Sequence, residues 1–150
     1  MAQGARVKRV DAAVTRPLRQ RVLRPHETLE QLVLAGDDDP DSGHFVVLED
    51  GEVVGTGSVR REPPPWKTDG PAWRLRGMAT AEGRRSRGIG TAVLTAVVAH
   101  VHERGGGLLW CNARLPAVRF YERGGFVTRG DSWEDPVIGP HIVMERTVDP

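Results

Sequence analysis

Between Phe45 and Arg60 the apolar positions fall into two β-rich runs, Phe45 to Leu48 and Val53 to Arg60, around Asp50-Gly51. An Asp-Gly pair between such runs is a favoured two-residue turn, so the stretch predicts a hairpin. Ala72 to Thr80 predicts another strand: Trp73 and Leu75 alternate with Arg74 and Arg76 before the chain turns small and apolar. From Gly88 the period changes to that of a helix. Ile89, Ala92, Val93, Ala96, Val97, His100 and Val101 share one face, with Thr91, Thr95 and His102 opposite. Gly105-Gly106-Gly107 stops this helix. Leu108 to Ala113 then has the pattern of a buried strand, and Pro116 opens a two-turn helix ended by Gly124-Gly125. Two final strands, "FVTRG" and "HIVMERTV", are separated by the turn-rich "DSWEDPVIGP".

The N-terminal part is less regular. Arg6 to Ala13 predicts a first strand, Leu18 to Leu23 a basic helical patch ending at Pro25, and Thr28 to Leu34 a short helix or turn. Ala35 to Gly43 carries every loop signal, and the prolines at 63, 64, 65 and 71 mark a surface excursion. Strand, loop, long helix and strand from Ala72 to Ala113 form a βαβ unit, whose strands should be parallel and joined right-handed. The early hairpin makes the rest antiparallel. The expected fold is α/β of the α+β type, a mixed, mostly antiparallel sheet with helices on both faces.

At 150 residues the chain suits one domain with its own core, spanning residues 1–150. A net charge of +1 lacks the basic excess of a dedicated nucleic-acid binder, so no nucleic-acid partner is expected. Cys111 is the single cysteine, which excludes an internal disulfide. No window has the apolar run of a signal peptide or a membrane helix. A soluble cytoplasmic protein without a membrane partner is the default expectation.

The chemistry concentrates in "GRRSRGIGTAVL", Gly83 to Leu94. A loop leaves a strand and enters a helix whose first amides have no intrahelical acceptor and carry partial positive charge. Glycines at 88 and 90 let an anion approach the backbone, and Arg85 and Arg87 add full charges. A dinucleotide fingerprint fails, because its third glycine would be Val93 and an acidic residue about 20 positions on is replaced by Leu108, Leu109 and Trp110. A P-loop fails for want of its lysine and hydroxyl pair. What fits is R-x-x-G-x-G, Arg85-Ser86-Arg87-Gly88-Ile89-Gly90. On these six residues alone, a capped helix with a solvated basic lead-in stands as an equal reading.

In context, "MATAEGRRSRGIGTAVL" resembles the signature of the GNAT superfamily of N-acetyltransferases, and "FYERGGF", Phe120 to Phe126, resembles that family's second signature. "GPHIVM" together with "VLRP" is similar to an ElaA-like bacterial branch of it. The resemblance covers most of the chain and implies the GNAT acyl-CoA N-acyltransferase fold, with acetyl-CoA as co-substrate and no metal. It implies that Met78, Ala79 and Thr80 run along the pantetheine arm and hold the thioester carbonyl. It implies that amides from Ser86 to Thr91, with Ile89 among them and Arg85 and Arg87 beside them, bind the pyrophosphate. The cofactor arm would enter between the Met78 strand and the Trp110 strand. Tyr121, the one tyrosine of the chain, takes the place of the family's general acid for the departing thiolate. Many members carry an asparagine seven residues before that tyrosine. Here Arg114 stands there, and Asn112 is the nearby substitute for contacting the cofactor arm.

The implied reaction is direct transfer in a ternary complex to a primary amine on a small molecule or peptide. An amine of pKa about 10.4 must lose a proton before attack. His141, opening the last strand after a Gly-Pro turn, is a candidate base or substrate contact, beside a purely structural histidine as the other reading. Glu52, Glu62, Glu134 and Glu145 are further base candidates that cannot be ranked. Asp37, Asp39 and Asp41 alternate like a calcium loop, but Pro40 intrudes and position twelve is Leu48, so solvation is expected. Cys111 is expected to be inert, His100 and His102 point different ways on their helix, and Trp66 and Trp73 are expected to pack. A non-catalytic acyl-CoA-binding or regulatory module of the same fold is the alternative reading. The acceptor and the oligomeric state, a homodimer included, stay open at this level.

Overall fold

The structure is a computed structural model that describes residues 4–66, 69–85 and 87–150. The predicted hairpin forms β2 (Gly43–Glu49) and β3 (Glu52–Arg61), with Glu49 opposite Glu52. Asp50 and Gly51 both have positive φ, 51° and 80°, as a type I′ turn requires. In front of it, β1 (Ala5–Arg9) pairs antiparallel with β2. The first strand is shorter than its apolar pattern suggests. Asp11 takes an extended conformation at the cap position, and α1 (Ala12–Leu23) begins at once. Thr28 and Gln31 exchange side-chain-to-backbone hydrogen bonds that start a 3₁₀ turn over Glu30–Leu32.

β4 (Ala72–Thr80), α2 (Ile89–Glu103) and β5 (Gly107–Arg114) make the predicted βαβ unit, and β4 and β5 are parallel. A 3₁₀ turn over Leu115–Ala117 leads into α3 (Val118–Arg123). The chain closes with β6 (Val127–Asp135) and β7 (Gly139–Val148). The sheet has seven strands in the order β1-β2-β3-β4-β5-β7-β6. β6 runs well into the segment that the sequence assigns to a turn. A register shift between Arg129 and Trp133, around Gly130 at φ 72°, interrupts the ladder, and pairing resumes at Trp133 opposite His141. β6 is an edge strand exposed along both faces, so no apolar alternation marks it.

The two helices α1 and α2 cover opposite faces of the sheet. On one face Gly55 and Gly57 leave room for Ile89, Val93 and the Met78 thioether, and Phe45 and Trp73 meet His100 edge-on. On the other, His44 links Ser58 Oγ at 2.7 Å to the Asp37 carbonyl at 2.8 Å, and Arg76 reaches Asp37. The acidic loop is therefore not uniformly solvated. Asp37 is buried, ion-paired to Arg16 at 3.1 Å, and accepts the Leu34 N–H. Its neighbours Asp38 and Asp39 are exposed.

Candidate active site

β4 and β5 stay paired only from Ala72 opposite Leu108 to Arg74 opposite Trp110. Beyond that point they diverge, because two features pull β4 and β5 toward different partners. β4 bulges at Gly77, where pairing with β3 shifts between Thr56 and Ser58. Gly77 has φ 71°, and a Cβ there would strike the Arg19 side chain, so only glycine suits the position. β5 meanwhile keeps full antiparallel register with β7 out to Arg114 opposite His141. The result is a slot along the inner edge of β4, open over Leu75 to Thr80. It forms part of a cavity of about 1200 Å³ that runs past the start of α2.

At one end of this cavity stand Gly88, Ile89, Gly90 and Thr91. Gly88 caps α2 in the left-handed conformation at φ 80°. The first helical N–H with a helical acceptor is that of Ala92, bonded to the Gly88 carbonyl at 3.0 Å. The amides of Ile89, Gly90 and Thr91 precede it and have no intrahelical acceptor. Arg85 lines the same end, as does Arg84, whose guanidinium is held by Glu49 at 3.2 Å and Glu52 at 3.4 Å. Arg87 is exposed and does not line the cavity, and Ser86 lies outside the described residues. A row of open amides beside an arginine suits a phosphate, and the narrow slot behind it suits an extended arm with backbone hydrogen-bonding groups.

Met78, Ala79 and Thr80 lie on one wall of the slot and Cys111 and Asn112 on the other. Tyr121, on α3, is 6% exposed and packs edge-on between Phe120 and Phe126. Burial, and secondarily the neighbouring Cys111, push its phenol well above its ordinary pKa, so it keeps its proton at neutral pH. Burial also raises the Cys111 thiol to about 12. The thiol is therefore held in its protonated, weakly nucleophilic form. Iodoacetamide at pH 8 should leave the folded protein unmodified by mass spectrometry and label Cys111 once denaturant is added; rapid labelling of the folded form would contradict this burial.

The cavity's other end is formed by α1, the 3₁₀ turn after it, and the β6–β7 hairpin. His141 is buried and stacks on Trp133 with ring centroids 5.7 Å apart. Its Nδ1–H donates to the Gly139 carbonyl at 2.8 Å, which leaves Nε2 as the lone-pair nitrogen of the neutral ring. Arg114 donates to the Leu23 carbonyl at 2.8 Å and so ties the end of β5 to the last turn of α1. The candidate glutamates do not line the cavity: Glu62 pairs with Arg60 and Arg74, Glu52 with Arg84, Glu145 with Arg129, and Glu134 is exposed. The carboxylates that do line it are Glu27 and Asp135, neither of which the sequence pattern singles out. Trp73 is buried under His100, and Trp66 packs on Trp110; neither reaches the cavity.

Comparison with known proteins gives a consistent result. The model of the acetyltransferase (GNAT) family matches residues 11–126. The uncharacterised N-acetyltransferase YitI of Bacillus subtilis is 35% identical over 142 residues, covering 95% of each chain. The ribosomal-protein-S18-alanine N-acetyltransferase of Escherichia coli superposes with a TM-score of 0.73 at 15% identity, over 97% of this chain and 95% of that one. A GCN5-related N-acetyltransferase from Kribbella flavida also gives 0.73, at 19% identity over 97% and 98% of the two chains. At such identities the structural matches establish the fold.

Proposed function

Because the chain belongs to the GNAT family of acetyltransferases, we propose that it transfers an acetyl group from acetyl-CoA to a primary amine by direct attack in a ternary complex. The observation that carries this reading is the divergence of β4 from β5 after Arg74, which opens one slot between the amide row at Ile89–Thr91 and Tyr121. The donor's thioester supplies an activated acyl carbon. The chain's own groups do the rest. Amides at Ile89, Gly90 and Thr91, with Arg85 beside them, hold the diphosphate. Backbone groups of Met78, Ala79 and Thr80 align the arm, and an N–H near Met78 faces the carbonyl oxygen as charge builds on it. Asn112 contacts the arm from β5.

The amine must surrender a proton, and His141 Nε2 is the acceptor for it at the opposite end. As the C–N bond forms and the C–S bond breaks, the Tyr121 hydroxyl gives its proton to the departing sulfur. Its raised pKa suits a group that must be protonated beforehand and regain a proton afterwards. A thermal melt tests the first half of this reading. At about 100 times Kd, acetyl-CoA should stabilise the fold by about 2.7 kcal/mol, a rise in Tm of roughly 5–10 °C for a chain of this size. No shift at millimolar acetyl-CoA would remove the donor assignment.

A further inference from the structure

The wall opposite the phosphate end carries more charge than catalysis by His141 requires. Arg114 is half-buried there, and its one polar partner among the described residues is the Leu23 carbonyl, which uses one of five N–H donors. Among the described residues no carboxylate forms an ion pair with it, although Asp135 is close enough to attract it. Arg24, whose contact with Glu27 is a loose 4.0 Å, is close enough to repel it. Of the other guanidiniums on this wall, Arg76 is engaged by Asp37 and the Ala35 carbonyl, and Arg19 is buried against the Leu32 carbonyl. Two neighbouring arginines with spare donors, both lining the cavity, suit a carboxylate.

A complementary group stands beside them. Asp135 takes the Val137 and Ile138 N–H groups on one oxygen, at 2.8 and 3.1 Å. Those bonds hold its carboxyl below the usual range, so it stays ionised, and its second oxygen has no hydrogen-bond partner among the described residues. Asp135 interacts with both His141 and Arg24, while Arg114 and His141 are register partners on adjacent strands. Positive and negative sites therefore lie within one small molecule's span, next to the nitrogen that takes the proton.

We propose that this end of the cavity is an acceptor site for an α-amino acid or a molecule ending in that group, its carboxylate held by Arg114 and Arg24 and its amine received between Asp135 and His141 Nε2. The assignment rests on the transfer reaction proposed above and narrows its acceptor class. A peptide N-terminus carries no carboxylate next to its amine, and a polyamine carries none at all. Either would leave the two arginines unmatched.

The test is a panel of free L-amino acids, their carboxamides and a tripeptide amide, each assayed for thiol release from acetyl-CoA and for equilibrium binding in the presence of coenzyme A. At least one free amino acid should exceed its own carboxamide by about tenfold or more in kcat/KM and in affinity, the worth of one charge-assisted hydrogen bond. Arg24→Gln, which leaves the Leu23 tie intact, and Arg114→Gln should each bring the pair to within about threefold, with acetyl-CoA affinity unchanged. Carboxamides or the tripeptide amide used as well as free amino acids would overturn the site, as would a preference that survives both substitutions or binding of none of the panel. Preferential binding of the free acid without any turnover would keep the site and remove the transfer reading instead.

Discussion

Replacing Tyr121 by phenylalanine is expected to lower kcat by about 100- to 10,000-fold, the usual worth of a positioned proton donor, with acetyl-CoA affinity changed by no more than about threefold. The expectation of a clean split follows from the packing. The ring is wedged between Phe120 and Phe126, and phenylalanine fills the same space with the same edge-on contacts. Only the hydroxyl is lost. A thiolate leaving into this apolar site without a proton donor is costly, because burial disfavours charge there as strongly as it raises the phenol's own pKa. Pre-steady-state mixing at saturating acetyl-CoA would separate chemistry from product release. Unchanged turnover would reduce Tyr121 to a packing residue.

Gly88→Glu should abolish acetyl-CoA binding, with a rise in Kd of more than about 100-fold. Two effects act together. A side chain at φ 80° is strained by about 1–3 kcal/mol, and the new carboxylate would sit at the mouth of the amide row, repelling a diphosphate. Gly88→Asn separates them, since asparagine tolerates the left-handed region. It should fold with nearly wild-type Tm and bind acetyl-CoA moderately weaker by calorimetry. Retained full affinity in the glutamate variant would make the loop a helix start and nothing more.

Local chemistry was legible in the sequence wherever one segment carried the whole signal. Asp50-Gly51 specifies its turn because two positive φ angles are needed in succession. The period change at Gly88 and the glycines at 105–107 bound α2, and Cys111 is as buried as its apolar strand suggests. What escaped had its cause elsewhere in the fold. Asp11 ended β1 early, although Val10, Ala12 and Ala13 continued the apolar run. β6 was hidden because an edge strand exposed on both faces needs no hydrophobic alternation. Asp37 looked like one of three solvated acids until Arg16 and Arg76 reached it from α1 and β4.

The site divides along the same line. The proposed donor half lies on one βαβ step and one short helix, so a single pair of motifs singles out Gly88, Gly90 and Tyr121. The proposed acceptor half draws Arg24 from just after α1, Arg114 from β5, and Asp135 and His141 from the last hairpin. Those positions are far apart in the chain and share no spacing rule. Arg114 was visible only as a departure from an asparagine, and the Leu23 tie explains what it does for the fold.

Acetyl transfer straight to an amine would show itself in free-thiol release from stoichiometric acetyl-CoA, followed with and without an amine acceptor. No thiol should be released before the amine is added, and release afterwards should be matched mole for mole by acetylated amine. Acetyl-CoA that binds tightly yet releases no thiol with any amine would contradict it and leave a cofactor-sensing module on the same fold.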